Sequence, residues 1–495
     1  MMRSRLFDFL KLKSPLIWGP SICALIAFGW GYQLVREWGS DYGAYYVVAS
    51  LLSEDFHLYR DNFFAKGPAY ITFLLLFHKI IGSGAAQAPF VLAVTTFSLL
   101  YVVFLIAVRE VKSNAVILII VLFSGTTLFG QGSNLSIALF QTLFLLLFLY
   151  ALSKNIQAPS ARSAVFACVF FSIAILTRID SLIFIPLICF IRIGEGNLIK
   201  NILASLLVLG GVFLTIFFIF SWSFGFSPSE FYQNNIVFNK IYKEYNLNYN
   251  AYLIRRNGFS HFMISGAPVL IAIVVSIRKF STKVDRDLNF YFVLVVFLLS
   301  ILGYIYTASD KDYHIYIIFP AVFLFVLLYG EELSKLKRSG LYLLAAVFVY
   351  PCLVMVSSTG YHVAKLQSQD LLFQLRRPAD RNLVEAIAKV SEGQVWQKGV
   401  WGTFTNGWVY LFSNTRPRIG INPTWFYNGP GFATEGLLIG HGELKKRDQC
   451  SPVVVENVPH LIPHQRLRDL KEDTIIVWHQ GSYEIRIRPG CPSIL

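Results

Sequence analysis

The sequence predicts a polytopic α-helical membrane protein of about eleven transmembrane helices, followed by a C-terminal extracytoplasmic α/β domain. Three observations carry that fold class. First, the 495 residues are 55% hydrophobic and only 15% charged, with a mean hydropathy of +0.55. Soluble proteins average about 25% charged residues, and a soluble globule of this size could not hide so many Phe, Leu and Ile side chains. Second, the apolar residues fall into runs long enough to cross a bilayer. Third, the character changes after Val356: residues 357–495 carry 16 Lys+Arg and 12 Asp+Glu with frequent Gly and Pro. Disorder, a disulfide-dense secreted scaffold and a fibrous repeat are excluded. The formal charge of +14 would raise nucleic-acid binding for a soluble protein; on a membrane protein it is first a topology signal.

A helix crosses a hydrocarbon core of ~30 Å with about 20 apolar residues. Stretches that meet or approach this lie at about 15–35, 87–108, 114–129, 135–152, 163–177, 181–192, 199–221, 261–277, 289–308, 315–330 and 340–356. The stretch 181–192 is short and holds Pro186. The first run is long, has no small-residue cleavage site after it, and reads as a retained signal anchor. Residues 69–82 are also apolar, but fourteen residues span only ~21 Å as a helix, and this run carries His78 and Lys79.

Charge decides the place of 69–82. Cytoplasmic loops carry excess Lys and Arg. If this run does not span, the N-terminal tail and the loops at 109–113, 153–162, 192–200, 278–288 and 331–339 face the cytoplasm. Those five loops hold 13 Lys+Arg; the intervening outer loops hold 6, namely Arg178, Lys240, Lys243, Arg255, Arg256 and Lys311. A spanning 69–82 would invert the bias. It therefore reads as a juxtamembrane helix on the outer face. The N-terminus is then inside and the C-terminus outside.

Within 357–495, QKGVWGTF and DTIIVWHQGSYEIRIRP read as short strands and RPADRNLVEAIAKVSEG as a helix. About 139 residues suffice for one small α/β domain. Cys23, Cys168, Cys189 and Cys352 fall in apolar spans and behave there as small hydrophobes. Cys450 and Cys491 lie in the outer domain, where an oxidising compartment lets them pair; two free thiols are the alternative. No Cys/His spacing suggests zinc.

The first outer loop, REWGSDYGAYYVVASLLSEDFHLYRDNFFAKGPAY, crowds Asp41, Asp55, Arg60, Asp61 and Lys66 beside the membrane. Asp41 precedes an amphipathic run whose aromatic face is Tyr42, Tyr45 and Tyr46. Lys66-Gly67-Pro68 opens the juxtamembrane helix, so an acid and a cation bracket one surface. Asp41, then Tyr59-Arg60-Asp61-Asn62-Phe63-Phe64, then Lys66-Gly67-Pro68 resembles the GT-C glycosyltransferases. The nearest branches are the protein mannosyltransferases (family 39) and the lipid A aminoarabinose transferases. TRIDSLIFIP, with Arg178 and Asp180, resembles the family's basic outer helix end. ASDKDYHIYIIFP, with Lys311 and His314, resembles its late outer loop, and VWGTFTNGWVYLFSNTRPRIG its soluble tail. Three positions depart from the pattern: Tyr42 stands where an acid often follows the first, Gly67-Pro68 where a double proline is common, and Asn134 where a second acid often closes the third span.

The resemblance implies a GT-C-like catalytic module over 1–356, with outer loops 36–86 and 222–260, and a periplasmic soluble domain over 357–495. It implies an inverting transfer of a sugar from a polyprenyl-phosphate donor to a lipid, glycan or protein acceptor, lipopolysaccharide among them. The setting is the outer face of a bacterial inner membrane, and the lipid bilayer, not nucleic acid, is the surrounding partner. Asp41 would be the general base toward an acceptor hydroxyl. Lys66, Arg178, Lys311 and His314, with Arg60, Asp61, Arg255 and Arg256, are the candidates for donor phosphate and substrate binding. No cofactor is assigned with certainty and the metal requirement stays open: a divalent cation is compatible with the pattern, and no metal ligands are assigned.

Several residues keep a second reading. Arg178 could pair with Asp180, Lys311 with Asp310 or Asp312, and His314 could cap or snorkel. Arg255-Arg256 could bind lipid headgroups, and the aromatics of 222–260 could form an interfacial belt rather than a lid. A lipid or sugar transporter without transfer chemistry is the competing function. Against it, ionisable residues cluster at the outer face rather than the midplane, and no repeated half is visible. A polymerase or ligase of lipid-linked glycans would place its large outer loop between late spans instead.

Overall fold

The computed structural model describes residues 15–37, 57–60, 66–81, 88–127, 135–193, 198–237, 288–307, 319–329, 378–390, 401–402, 453–456, 474–481, 483–487 and 489–490, with isolated positions at 45, 48, 49, 52, 64 and 472. The described helices are α1 (Pro15–Glu37), α2 (Pro68–Ile81), α3 (Ala88–Glu110), α4 (Asn114–Thr127), α5 (Leu135–Gln157) and α6 (Ala161–Thr177). They continue with α7 (Leu198–Phe224), α8 (Pro228–Tyr232), α9 (Leu288–Thr307), α10 (Phe319–Tyr329) and α11 (Pro378–Val390). Nine of the eleven expected spans fall on described helices; those at 261–277 and 340–356 lie outside the described residues. Three described stretches, Ala93–Glu110, Ile137–Gln157 and Leu198–Phe224, are long and apolar enough to cross a membrane.

The span expected at 181–192 is a 3-10 helix over Ile179–Phe190, 12 residues long with Pro186 inside it. The tighter helix rises ~2.0 Å per residue, so this segment covers about 24 Å rather than the ~18 Å of an α-helix of that length. Geometry thus recovers much of the reach that residue count denies it.

The chain forms two compact units. One comprises Met1–Gln33, Pro89–Phe217 and Asn248–Ala364; the other Leu34–Ala88, Phe218–Leu247 and Lys365–Leu495. In the first, α5 and α6 pack antiparallel along their length, with Phe148 and Phe171 stacked at 4.6 Å in the core. The 3-10 segment lies on α6 and α9, where Phe190 meets Phe292 edge-on at 5.5 Å. Trp18 of α1 meets Phe104 of α3 at 6.1 Å, and Gly19 admits this approach because a Cβ there would run into the Phe104 ring. By contrast, α7 leaves Leu207 and Trp222 78% and 88% exposed, the surface expected of a helix solvated by lipid.

Two neighbouring polar clasps fix one end of this unit. Glu110, closing α3, accepts from Tyr150 at 2.9 Å and pairs with Lys154 at 2.8 Å on α5. Beside Lys154 in sequence, buried Asn155 donates to the Ser160 carbonyl at 3.1 Å, Ser163 Oγ at 2.8 Å and the Arg192 carbonyl at 2.8 Å; its Oδ1 accepts from Arg192 N at 2.7 Å. The loops after α3, α5 and the 3-10 segment therefore share one end, as the charge pattern expects of 109–113, 153–162 and 192–200.

In the second unit, the described strands are β1 (Trp401–Gly402), β2 (Val453–Glu456), β3 (Ile475–Gln480) and β4 (Tyr483–Ile487). They form a sheet of order β1-β2-β4-β3, with β1–β2 parallel and the other pairs antiparallel. Gly481 at φ 61 begins the two-residue β3–β4 turn, as tight hairpins require. Tyr483, Ile485 and Ile487 alternate inward on β4. Leu383, Val384 and Ile387 of α11 form a buried face at helical spacing, and α11 packs on β3 and β4. Helix α11 falls on the helix expected at 377–393 and β3 and β4 on the strands expected at 473–489; of 397–404 only Trp401–Gly402 is described, as β1, and β2 is an addition. Cys450 and Cys491 lie outside the described residues.

Candidate active site

The turn after α7 is built to receive another loop. Gly225 adopts φ 66, and a Cβ at this position would run into the His57 imidazole. Just before it, the Phe224 carbonyl accepts from Leu58 N at 3.0 Å. Ser227 then caps α8: its Oγ accepts from Glu230 N at 3.2 Å while Glu230 Oε2 accepts from Ser227 N at 2.7 Å, with Pro228 at the first helical position. This reciprocal cap is encoded by S-x-x-E. The chain continues into a π-helical turn, Gln233–Val237, which brings two buried asparagines back toward the 57–60 loop. Asn234 Nδ2 donates to the Glu230 carbonyl at 2.9 Å and to the Tyr59 carbonyl at 3.5 Å. Its Oδ1 is buried without a hydrogen-bond partner.

Tyr59 is the centre of this arrangement. Its ring is buried edge-on to Phe226 at 4.9 Å and to Phe231 at 5.8 Å. Its hydroxyl donates to the Lys66 carbonyl at 2.7 Å. Burial pushes the phenol well above its ordinary range, opposed by a hydrogen bond with the Asn235 side chain, so Tyr59 keeps its proton and donates a hydrogen bond at any physiological pH. Its backbone lies at φ 66, and it is the one non-glycine residue with positive φ among those described.

Arg60 follows Tyr59 and is exposed; Lys66 is half-buried, and Gly67 and Pro68 behind it are buried. Lys66 stands just before the first turn of α2, which contains no acidic residue. That turn carries the partial positive charge of a helix N-terminus and suits an anion. Tyr45, four residues after Asp41, meets Phe64 at 5.5 Å and Tyr70 at 5.9 Å. Tyr45 is thus tied to both flanks of Lys66.

Arg178 belongs to the other unit and is 7% exposed. Its Nη2 and Nε donate to Asp180 Oδ2 at 2.6 and 3.1 Å. Gln141 of α5 donates to Asp180 Oδ1 at 2.6 Å and to Ser181 Oγ at 2.8 Å. Of the two readings of Arg178, the structure displays the pair with Asp180. It adds Gln141, which no sequence motif singles out. Asp41, Asp61, Asn134, Arg255, Arg256, Lys311 and His314 lie outside the described residues. Among the described residues no group of three His, Cys, Asp or Glu side chains is placed to hold a metal ion.

No protein-family model matches the chain, and no curated protein matches it. Solved structures do. ArnT from Cupriavidus metallidurans bound to undecaprenyl phosphate aligns with a TM-score of 0.58 at 13% identity, over 94% of this chain and 96% of that one. The same protein in the apo state aligns with a TM-score of 0.56 at 12% identity, over 92% and 95%. At these identities the likeness is one of fold, and it runs nearly end to end. A mostly helical fold like that of ArnT agrees with the resemblance read from the first outer loop.

Proposed function

We propose that this chain is an inverting GT-C glycosyltransferase of the bacterial inner membrane. It would move a sugar from a polyprenyl-phosphate donor to a glycolipid, glycan or protein acceptor on the periplasmic side. The observation that carries this reading is the placement of Lys66. A cation stands at the start of α2, with the helix N-terminus behind it and Arg60 exposed on the tyrosine turn that holds it. The ArnT-like fold supports the donor class, since a solved neighbour of that fold holds undecaprenyl phosphate.

Asp41 takes the proton of an acceptor hydroxyl, whose oxygen attacks the anomeric carbon. The bond from that carbon to the donor phosphate breaks, and the polyprenyl phosphate leaves with the electron pair. One displacement inverts the anomeric centre. Lys66, the start of α2 and Arg60 neutralise the charge developing on the phosphate. Fixed charges of this kind usually lower the barrier more than any other single effect. Arg178, Lys311, His314, Arg255 and Arg256 complete the candidate substrate contacts, and Cys450–Cys491 a candidate disulfide of the periplasmic α/β domain, 357–495.

The test uses purified protein with an undecaprenyl-phosphate sugar and an envelope acceptor, following product by mass spectrometry. Asp41→Asn should lower turnover by about 10²–10⁴-fold; equal turnover removes Asp41 as the base. Lys66→Ala should weaken binding of undecaprenyl phosphate roughly 10–100-fold, the worth of one charge-assisted hydrogen bond. Movement of lipid-linked sugar across a reconstituted bilayer without covalent product would favour the transporter instead.

A further inference from the structure

We propose that Tyr59 is a positioning residue for the donor phosphate. Its hydroxyl ties the Lys66 carbonyl, and so the start of α2, to the turn that follows α7. The inference rests on the reading that Lys66 meets the phosphate, and it adds how Lys66 is held there.

The backbone gives the first indication. A bulky residue at φ 66 sits in a region that glycine enters freely and tyrosine does not. Such conformations persist only where the surroundings over-determine them. Here they do: Leu58 N is bonded to the Phe224 carbonyl, the Tyr59 carbonyl accepts from Asn234, and the ring is seated against Phe226 and Phe231. If the turn needed only the left-handed conformation, glycine would supply it without strain. Tyrosine adds a ring that fixes direction and a hydroxyl that reaches the Lys66 carbonyl at 2.7 Å. A phenylalanine would fill the same aromatic pocket without that reach.

The far end of the bond explains why it matters. Lys66 is followed by Gly67, which gives the backbone rotational freedom just where a cation must be aimed. Pro68 begins the helix after it. The Tyr59 hydroxyl is a fixed point for that joint, and Asn235 on the π-turn hydrogen-bonds to the same phenol. The chain from Asn235 through the phenol to the Lys66 carbonyl couples the loop after α7 to the phosphate-facing cation.

The experiment measures binding of undecaprenyl phosphate to the full-length protein in nanodiscs, together with its Tm. The proteins are wild type, Tyr59→Phe, Lys66→Ala and the double variant. Tyr59→Phe keeps the ring and its packing and removes only the hydroxyl. It should weaken binding roughly three- to tenfold, the range of one lost hydrogen bond, with a modest fall in Tm from the unpaired Lys66 carbonyl and the fold retained. The double variant should bind no worse than Lys66→Ala, because the bond acts through Lys66. Wild-type binding by Tyr59→Phe beside a weakened Lys66→Ala would overturn the positioning role and leave the proposed function standing. Wild-type binding by Lys66→Ala would remove the reading on which it rests. Additive losses in the double variant would make Tyr59 a general stabiliser and also overturn the proposal.

Discussion

Gly225 and Tyr59 share a left-handed backbone, φ 66 in each, for opposite reasons. Gly225 is there because nothing larger fits: a side chain would meet both an unfavourable φ and the His57 ring. Gly225→Ala should destabilise the protein by about 2–4 kcal/mol, the sum of a left-handed backbone penalty and an overpacked contact. Chemical denaturation in detergent measures this, and unchanged stability would mean that His57 does not close on the turn. Tyr59 is there despite its size, held by the groups around it. The two positions differ in how far sequence reveals them. Gly225 sits directly before a Phe-Ser-Pro-Ser-Glu cap segment, a recognisable turn-then-helix signature. Tyr59 opens the run Tyr59-Arg60-Asp61, but no local pattern announces a strained tyrosine, because the strain is imposed by residues more than 160 positions later. Gln141 is illegible for the same reason. A lone glutamine on an apolar helix has a role only once Asp180 and Ser181 are brought against it.

Helix α2 shows what is legible at the level of elements. Its fourteen residues and its His78-Lys79 end predict a helix too short to span, and the structure gives Pro68–Ile81. The half-buried His78 is held below its ordinary range, first by burial and then by neighbouring Lys79. The unfolded chain therefore binds a proton more readily than the folded one. Stability from this group is full above the ordinary histidine range and is lost as pH falls through it toward the lower folded value. Lowering pH from about 7 to about 5 should reduce Tm in the wild type, and His78→Gln should flatten that dependence; parallel curves would assign the acid sensitivity elsewhere. What sequence hides among the elements is geometry rather than location. The segment around Pro186 is visible as an apolar run, but its 3-10 winding is not, because apolar composition is the same for either helix. The clasp at Asn155 is hidden too. Asn155→Ala strips hydrogen bonds from α5, the start of α6 and the end of the 3-10 segment. It should cost about 2–4 kcal/mol, since buried groups are left unpaired rather than replaced, and thermal unfolding will show it.

At the scale of the molecule, charge and packing together constrain orientation. The tail and loops assigned to the cytoplasm hold 17 basic and 7 acidic residues, the outer loops 10 of each, and residues 357–495 hold 16 and 12. On that assignment most of the net charge of +14 is an imprint of membrane orientation, and the chemistry is expected where opposite signs balance. Packing supplies an independent constraint. Glu110, Lys154, Asn155 and Arg192 meet at one end of their unit, and Arg178, Asp180 and Gln141 meet where the same helices have their other ends. The loops at 109–113, 153–162 and 192–200 must then lie on one side of the bilayer, whichever side that is. The positive-inside rule predicts the cytoplasm. Helix α3, 23 residues from Ala88 to Glu110, is about 35 Å long and should separate the two sides. In a background freed of the six native cysteines, Lys112→Cys and Gln157→Cys should resist an impermeant thiol reagent in intact cells and react after permeabilisation. Ser83→Cys, before α3, should react in intact cells. Disagreement between the Lys112 and Gln157 positions would contradict the clasp at Glu110 and Lys154. Agreement with the opposite polarity would keep the packing, invert the membrane orientation, and place Lys66 and Asp41 in the cytoplasm, where a periplasmic transfer could not use them.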